Sequence, residues 1–95
     1  MYEIFQSNSF FSETESCKSK DGSLKTNLQT KIEELAENPF SRAKSTNIAS
    51  IGDHYVNIGN TYSVTFDIDE NSGKIFLHKI LRQARLYKIL QGHNC

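Results

Sequence analysis

The sequence has little cysteine, no long apolar run and, after Glu70, no acidic residue at all. Cys17 and Cys95 are too few and too far apart for a disulfide framework, and they lack the paired spacing of a zinc site. Cys17 instead stands at helical spacing from Phe10 and Thr14, as a small core-facing residue would. No apolar stretch approaches the roughly 20 residues of a membrane-spanning helix, and Met1 to Phe5 lacks the basic start and apolar run of a signal peptide, so a cytoplasmic protein without membrane contact is expected. A phosphate-binding glycine loop, HExxH, CxxC and Gly-x-Ser-x-Gly are all missing. Asp67, Asp69 and Glu70 are neighbouring carboxylates, but they lack the spaced ligands and the glycine of a calcium loop. No metal and no cofactor is therefore expected.

What is present suits one small domain spanning residues 1–95. The chain is 37% hydrophobic and 11% aromatic, enough for a core built on Phe and Tyr, and its mean hydropathy of −0.53 indicates a polar surface. Net charge is zero, yet it is segregated. Residues 1–70 carry all 11 acids and six of the 11 cations, whereas Lys74, Lys79, Arg82, Arg85 and Lys88 follow with no acid among them. A basic segment on a more acidic body can meet phosphates or an acidic partner, or it can simply be a solvated helix end.

The stretch from Gly52 to Tyr87 organises the rest. Tyr62, Val64, Phe66 and Ile68 alternate with Ser63, Thr65 and Asp67, the period of a half-buried strand. Gly59-Asn60 before it and Asn71-Ser72-Gly73 after it tolerate positive φ and reverse the chain, so three strands form an antiparallel meander. The last, from Lys74 to about Leu81, has apolar residues on both faces, and period 2 sets His78 beside Phe76 and Ile80. Upstream, Tyr2 to Gln6 reads as a first or edge strand. A helix follows from about Ser9 to Lys18, with Ser7, Asn8 and Ser9 as caps and Glu13 and Glu15 toward the positive end of its dipole. Ser23 caps a second helix, in which Leu24, Leu28, Ile32, Leu35 and Ala36 form one stripe and which Pro39 ends. Phe40 to about Ser50 reads as a connecting loop, with Arg42 and Lys44 as its charges, and a short helix from Gln83 to Gln91 closes at Gly92. The expected fold is α+β: two N-terminal helices on a small, mainly antiparallel sheet, in the order β-α-α-β-β-β.

The residues left to carry chemistry are Arg82, Arg85, Tyr87 and Lys88, with Lys44 brought near by the loop. RNA cleavage through the 2′-hydroxyl requires cations to neutralise a pentavalent phosphorane, which arginine and lysine supply, and a tyrosine can assist proton movement or stack on a base. His78 reads as a core or hydrogen-bonded histidine rather than a catalyst. Arg82 and Arg85 point to opposite faces if the strand continues through them, and to one side if a helix begins at Gln83.

Four features, in order, resemble the RelE/ParE superfamily, the toxins of type II toxin–antitoxin pairs: Ser9-Phe10, Leu35 to Phe40 (LAENPF), Tyr55 to Phe66 (YVNIGNTYSVTF) and Ile80 to Arg85 (ILRQAR). The resemblance implies a compact α+β domain held inactive by a cognate antitoxin, a separate chain that wraps it. It also implies one of two targets. RelE-like members are endoribonucleases that cleave mRNA on the ribosome and arrest translation; ParE-like members inhibit DNA gyrase without catalysing a reaction. Mapped by motif, Lys44 stands for the basic group after the second helix, Arg82 or Arg85 for the terminal Arg, and Tyr87 for the terminal Tyr. Where the ribonucleases place an Arg after the central glycine, this chain has Ser63, and its sequence pI near 6.8 departs from their basic character. The ending Leu81 to Arg85 also resembles that of ParE-like members, and a non-toxic partner-binding member is the third alternative. An apolar groove for the antitoxin on the helix pair and sheet, and a homodimer when the chain is alone, are further expectations.

Overall fold

The computed structural model describes residues 1–20, 22–41, 43–46 and 48–93. Arg42 and Cys95, both singled out above, lie outside the described residues. The elements are β1 (Glu3–Gln6), α1 (Asn8–Lys20), α2 (Leu24–Glu37), β2 (Lys44–Ser45), a 3₁₀ turn (Ala49–Ile51), β3 (His54–Ile58), β4 (Tyr62–Asp69), β5 (Lys74–Arg82) and α3 (Gln83–His93). The strands form one sheet in the order β1-β5-β4-β3-β2. β1 lies parallel to β5, and every other pairing is antiparallel. The α+β class, the helix pair, the meander and the terminal helix all match expectation. Two details differ: the loop after α2 holds the two-residue strand β2, and α3 runs through Gly92 rather than closing there.

The helix pair forms for local reasons with one surprise in each helix. Ser7 caps α1, its hydroxyl accepting from the amide of Phe10 at 3.0 Å. Glu13 and Glu15 fall beyond the first turn, which holds no acid. Thr14, buried on the same stripe as Phe10, is satisfied by donating to the Phe10 carbonyl at 2.7 Å. Ser23 stands at the N-cap of α2 in a helical conformation and makes no side-chain cap hydrogen bond, contrary to the expected capping. At the other end Asn38 leaves the helix and its side chain accepts from the amide of Phe40, one residue past buried Pro39.

One face of the sheet carries Val56, Ile58, Tyr62, Val64, Phe66, Ile75, Leu77 and Ile80, which pack with Phe10, Leu24, Leu28 and Leu35 into the main core. Cys17 packs partly buried against it, as its spacing predicts. Each such aliphatic or aromatic side chain stabilises the fold by roughly 1.5–3 kcal/mol through burial. The second face is also covered along much of β4. Tyr55, Ser63 and Thr65 are buried there, α3 packs on β4 and β5, and Leu86 of α3 is fully buried outside the main core. β4 is thus a central strand enclosed on both sides, although its sequence alternates like a half-buried one.

β5 is not a regular strand. Thr65 faces Lys79 while Phe66 faces Leu77, so His78 is an extra residue in a β-bulge. The bulge reverses the alternation: Ile80 joins Ile75 and Leu77 on the core face, and Phe76 is half-exposed on the other. Period 2 through His78, which groups it with both Phe76 and Ile80, fails at this point.

Candidate functional site

β5 passes directly into α3, and the junction is fixed by Gln83. Its amide donates to the Thr61 carbonyl at 2.8 Å, and its side-chain nitrogen donates to the carbonyls of Gly59 and Tyr62, both at 3.1 Å. Gly59, at φ 60°, makes the β3–β4 turn that presents these acceptors. With the helix beginning at Gln83, Arg85 comes round to the side of Arg82. Arg82, facing Tyr62 across the ladder, holds its guanidinium 5.9 Å from the centre of that ring. Both arginines line one depression of about 200 Å³, together with Tyr62, Ile80, Cys17 and Lys20.

Three cations converge on this depression. Lys20 enters from the last turn of α1, and the positive end of the α3 dipole lies at the same corner. No acidic residue lines it among the described residues. Two planar forks and an ammonium around one small concavity match the oxygens of a phosphate.

No protein-family model, no curated protein and no solved structure matches this chain. The functional reading therefore rests on the residues and their geometry.

Of the five residues expected from sequence to carry chemistry, the structure unites Arg82 and Arg85 and leaves Tyr87, Lys88 and Lys44 outside the depression. Tyr87 is 43% exposed on α3, two residues past Arg85 and so on another side of the helix, and it does not line the depression. Lys44 sits exposed on β2, at the far edge of the sheet, with β3 and β4 between it and β5. In register it falls on the row Lys44, Tyr55, Thr65, Lys79, on the covered face. Ser63 is 1% exposed, its hydroxyl donating to Asn57 at 2.7 Å. Lys20 had no signal in the sequence, where the first helix is expected to end at about Lys18; it joins the site because α1 runs on to Lys20.

A second constellation occupies the other face of the sheet. His78, displaced by the bulge, meets the Asp67 carboxylate through Nε2 at 2.5 Å, and the other carboxylate oxygen accepts from the amide of Asp53 at 2.7 Å. Burial pushes the Asp67 pKa up, but the Asp53 amide and the His78 hydrogen bond and charge outweigh it and hold it below its ordinary value. The expectation of a hydrogen-bonded His78 is met, while its site on an open cavity is not foreshadowed by periodicity. Asp69 acts as a turn cap, accepting from the amides of Asn71 and Ser72. Among the described residues no group of three or more His, Cys, Asp or Glu is placed to hold a metal, and no helix is long and apolar enough to cross a membrane.

Proposed function

We propose that this chain is a RelE/ParE-type toxin of a type II toxin–antitoxin pair, acting as a RelE-like endoribonuclease that arrests translation by cleaving ribosome-bound mRNA. The observation that carries the reading is the convergence of Arg82 and Arg85, joined by Lys20, on one depression that no acidic residue lines among the described residues. These cations would stabilise the charge that develops on the phosphorane when a 2′-hydroxyl attacks the adjacent phosphate. Among the described residues the depression holds no histidine or carboxylate, so the two arginines supply electrostatic stabilisation, and Tyr62 and Lys20 are lining groups able to move a proton there. A basic terminal segment on an α+β domain of order β-α-α-β-β-β-β-α is in keeping with the sequence resemblance, an argument by analogy of fold.

The antitoxin would be a separate chain. A groove of about 140 Å³ between α1 and α2 is lined by Phe11, Leu28 and Ile32 but also by Lys18, Lys25 and Gln29, so it suits an amphipathic segment of such a partner with acidic residues rather than a wholly apolar one. Two observations favour a second reading, a non-catalytic member that binds gyrase or another partner: Ser63 is closed off by burial, and Lys44 stands across the sheet from the arginines.

Controlled expression in a bacterial host, with growth followed and mRNA 5′ ends mapped, tests both. Arrest with new cuts inside translated codons, lost in the Arg82→Ala/Arg85→Ala double variant, is the expected result. Arrest with intact mRNA would transfer the assignment to gyrase inhibition. Folded chain without arrest would leave a partner-binding protein.

A further inference from the structure

The cavity beside His78 is larger than the basic depression and lies on the opposite face of the sheet. It measures about 420 Å³ and is lined by Phe5, Gln6, Asp67, Phe76 and His78 among others. That volume falls in the range of small-molecule sites.

Its walls combine two chemistries. Phe5 and Phe76, neighbours in register on β1 and β5, stack with ring centres 5.5 Å apart, yet remain 39% and 40% exposed. Lys74 sets its ammonium 5.5 Å from the centre of the Phe5 ring. Beside this aromatic pair, with Asp67 the register partner of Phe76, stands the His78–Asp67 hydrogen bond. With Nε2 engaged by Asp67, Nδ1 is the ring nitrogen left without a hydrogen bond among the described residues.

The chain uses several local devices to hold this histidine. A bulge interrupts the β4–β5 ladder to project it. Gly52 passes next to the imidazole at φ 115°, where a Cβ would stand 3.3 Å from His78 Cδ2 and 3.0 Å from the Phe66 nitrogen. The Asp53 amide fixes the carboxylate that fixes the ring. A bulge, a positive-φ glycine and an oriented carboxylate around one half-exposed histidine are features that cluster at binding sites.

We infer that this cavity is a nucleobase-binding site, in which Phe76 and Phe5 offer a stacking face and His78 Nδ1 hydrogen-bonds the edge of the base. A planar heteroaromatic ring can stack on the aromatic pair and hydrogen-bond the imidazole at once. The base can belong to a free nucleotide or to single-stranded RNA. The site does not depend on the toxin reading, because it shares no lining residue with the depression of Arg82 and Arg85.

The test is an NMR titration of the full chain, following the imidazole of His78 and the ring of Phe76. The probes are the four nucleoside 5′-monophosphates, a short oligoribonucleotide and ribose 5-phosphate. Saturable shifts at both side chains with at least one nucleotide or the oligonucleotide, and none at Phe76 with ribose 5-phosphate, are expected; which probe binds tighter identifies the source of the base. Phe76→Ala should weaken binding by about tenfold or more, as loss of a stacking face does. Arg85→Ala should leave it unchanged, which separates this site from the arrest activity. Equal shifts with ribose 5-phosphate, unchanged affinity in folded Phe76→Ala, or no saturable shift at millimolar nucleotide would each overturn the assignment and leave the His78–Asp67 pair a structural contact.

Discussion

Gln83 reaches back across the sheet to Gly59, its side-chain amide donating to that glycine's carbonyl at 3.1 Å. The same nitrogen serves Tyr62, so one side chain ties the start of α3 to the turn between β3 and β4. Arg85 is positioned by this tie without touching it. Gln83→Ala is expected to cost about 1–2 kcal/mol for the hydrogen bonds lost. It should also reduce translation arrest by more than that loss of folded protein explains. Chemical denaturation alongside a growth assay checks both, and unchanged arrest would detach Gln83 from the site.

On the ribonuclease reading proposed above, Arg85→Ala should lower mRNA cleavage on the order of 10²-fold, the scale for removing one charge stabiliser from a phosphoryl centre. Its far-ultraviolet circular dichroism and melting temperature should stay near those of the parent, since Arg85 is exposed. Tyr87→Phe and Lys44→Ala, outside the depression, should retain arrest. An equal loss in all three would mean that a distributed surface is at work.

Gly52 and Gly22 form a matched pair. Gly52→Ala places a methyl group against the Phe66 backbone at φ 115°, and about 1–3 kcal/mol of stability should be lost. Gly22→Ala meets nothing within 4 Å and should change stability by less than about 1 kcal/mol. Paired melts in one buffer measure the contrast, and a neutral Gly52→Ala would contradict the close packing beside His78.

Asp67 sets an acid limb on stability. Its folded pKa lies below the ordinary 3.8, so the unfolded chain takes up the proton first as pH falls. The stabilisation is complete above the ordinary value and is lost as pH drops through the lowered one. Between about pH 5 and pH 2 the parent should therefore lose more stability than Asp67→Asn, in which this titration is absent. Superimposable acid curves for the two would remove Asp67 from the balance. The effect should be modest, because the carboxylate is partly exposed and screened.

Leu86→Ala opens the second face. Leu86 is fully buried, and its truncation should cost about 2–5 kcal/mol. Ser63→Arg should be worse tolerated than any exposed substitution, since it drives a charge into a position that is 1% exposed. Soluble, folded Ser63→Arg would show that α3 can lift from the sheet.

The fold was legible wherever a pattern ran long enough to have a period. The Leu24, Leu28, Leu35 stripe announced α2, and the Tyr62 to Ile68 alternation announced β4. Turns were legible through Gly59 and Gly73, which do take positive φ. Burial of Ser63 and Thr65 was not, because polar residues on an alternate face look solvated until α3 is known to cover them. β2 has two residues and therefore no period. The bulge at His78 left no mark, since one extra residue shifts alternation without altering composition. Of the site, the helix start at Gln83 decided that Arg82 and Arg85 belong together, whereas the distance of Lys44 depended on strand order, which local pattern does not encode.

That strand order also sets a sequence of events in synthesis. β1 is the first strand made, yet its partner is β5, from the other end of the chain, with Glu3 opposite Lys74. Until Lys74–Arg82 has left the ribosome, the apolar stripes of α1 and α2 lack much of the floor they later rest on. The nascent chain must carry Phe10, Leu24 and Leu28 uncovered for most of its translation, and the long loop closed by the β1–β5 pairing comes last. On the function proposed above, a chain made this way would acquire its arginine pair and its folded core in the same final step, so unfinished chains would be harmless to the ribosome that makes them.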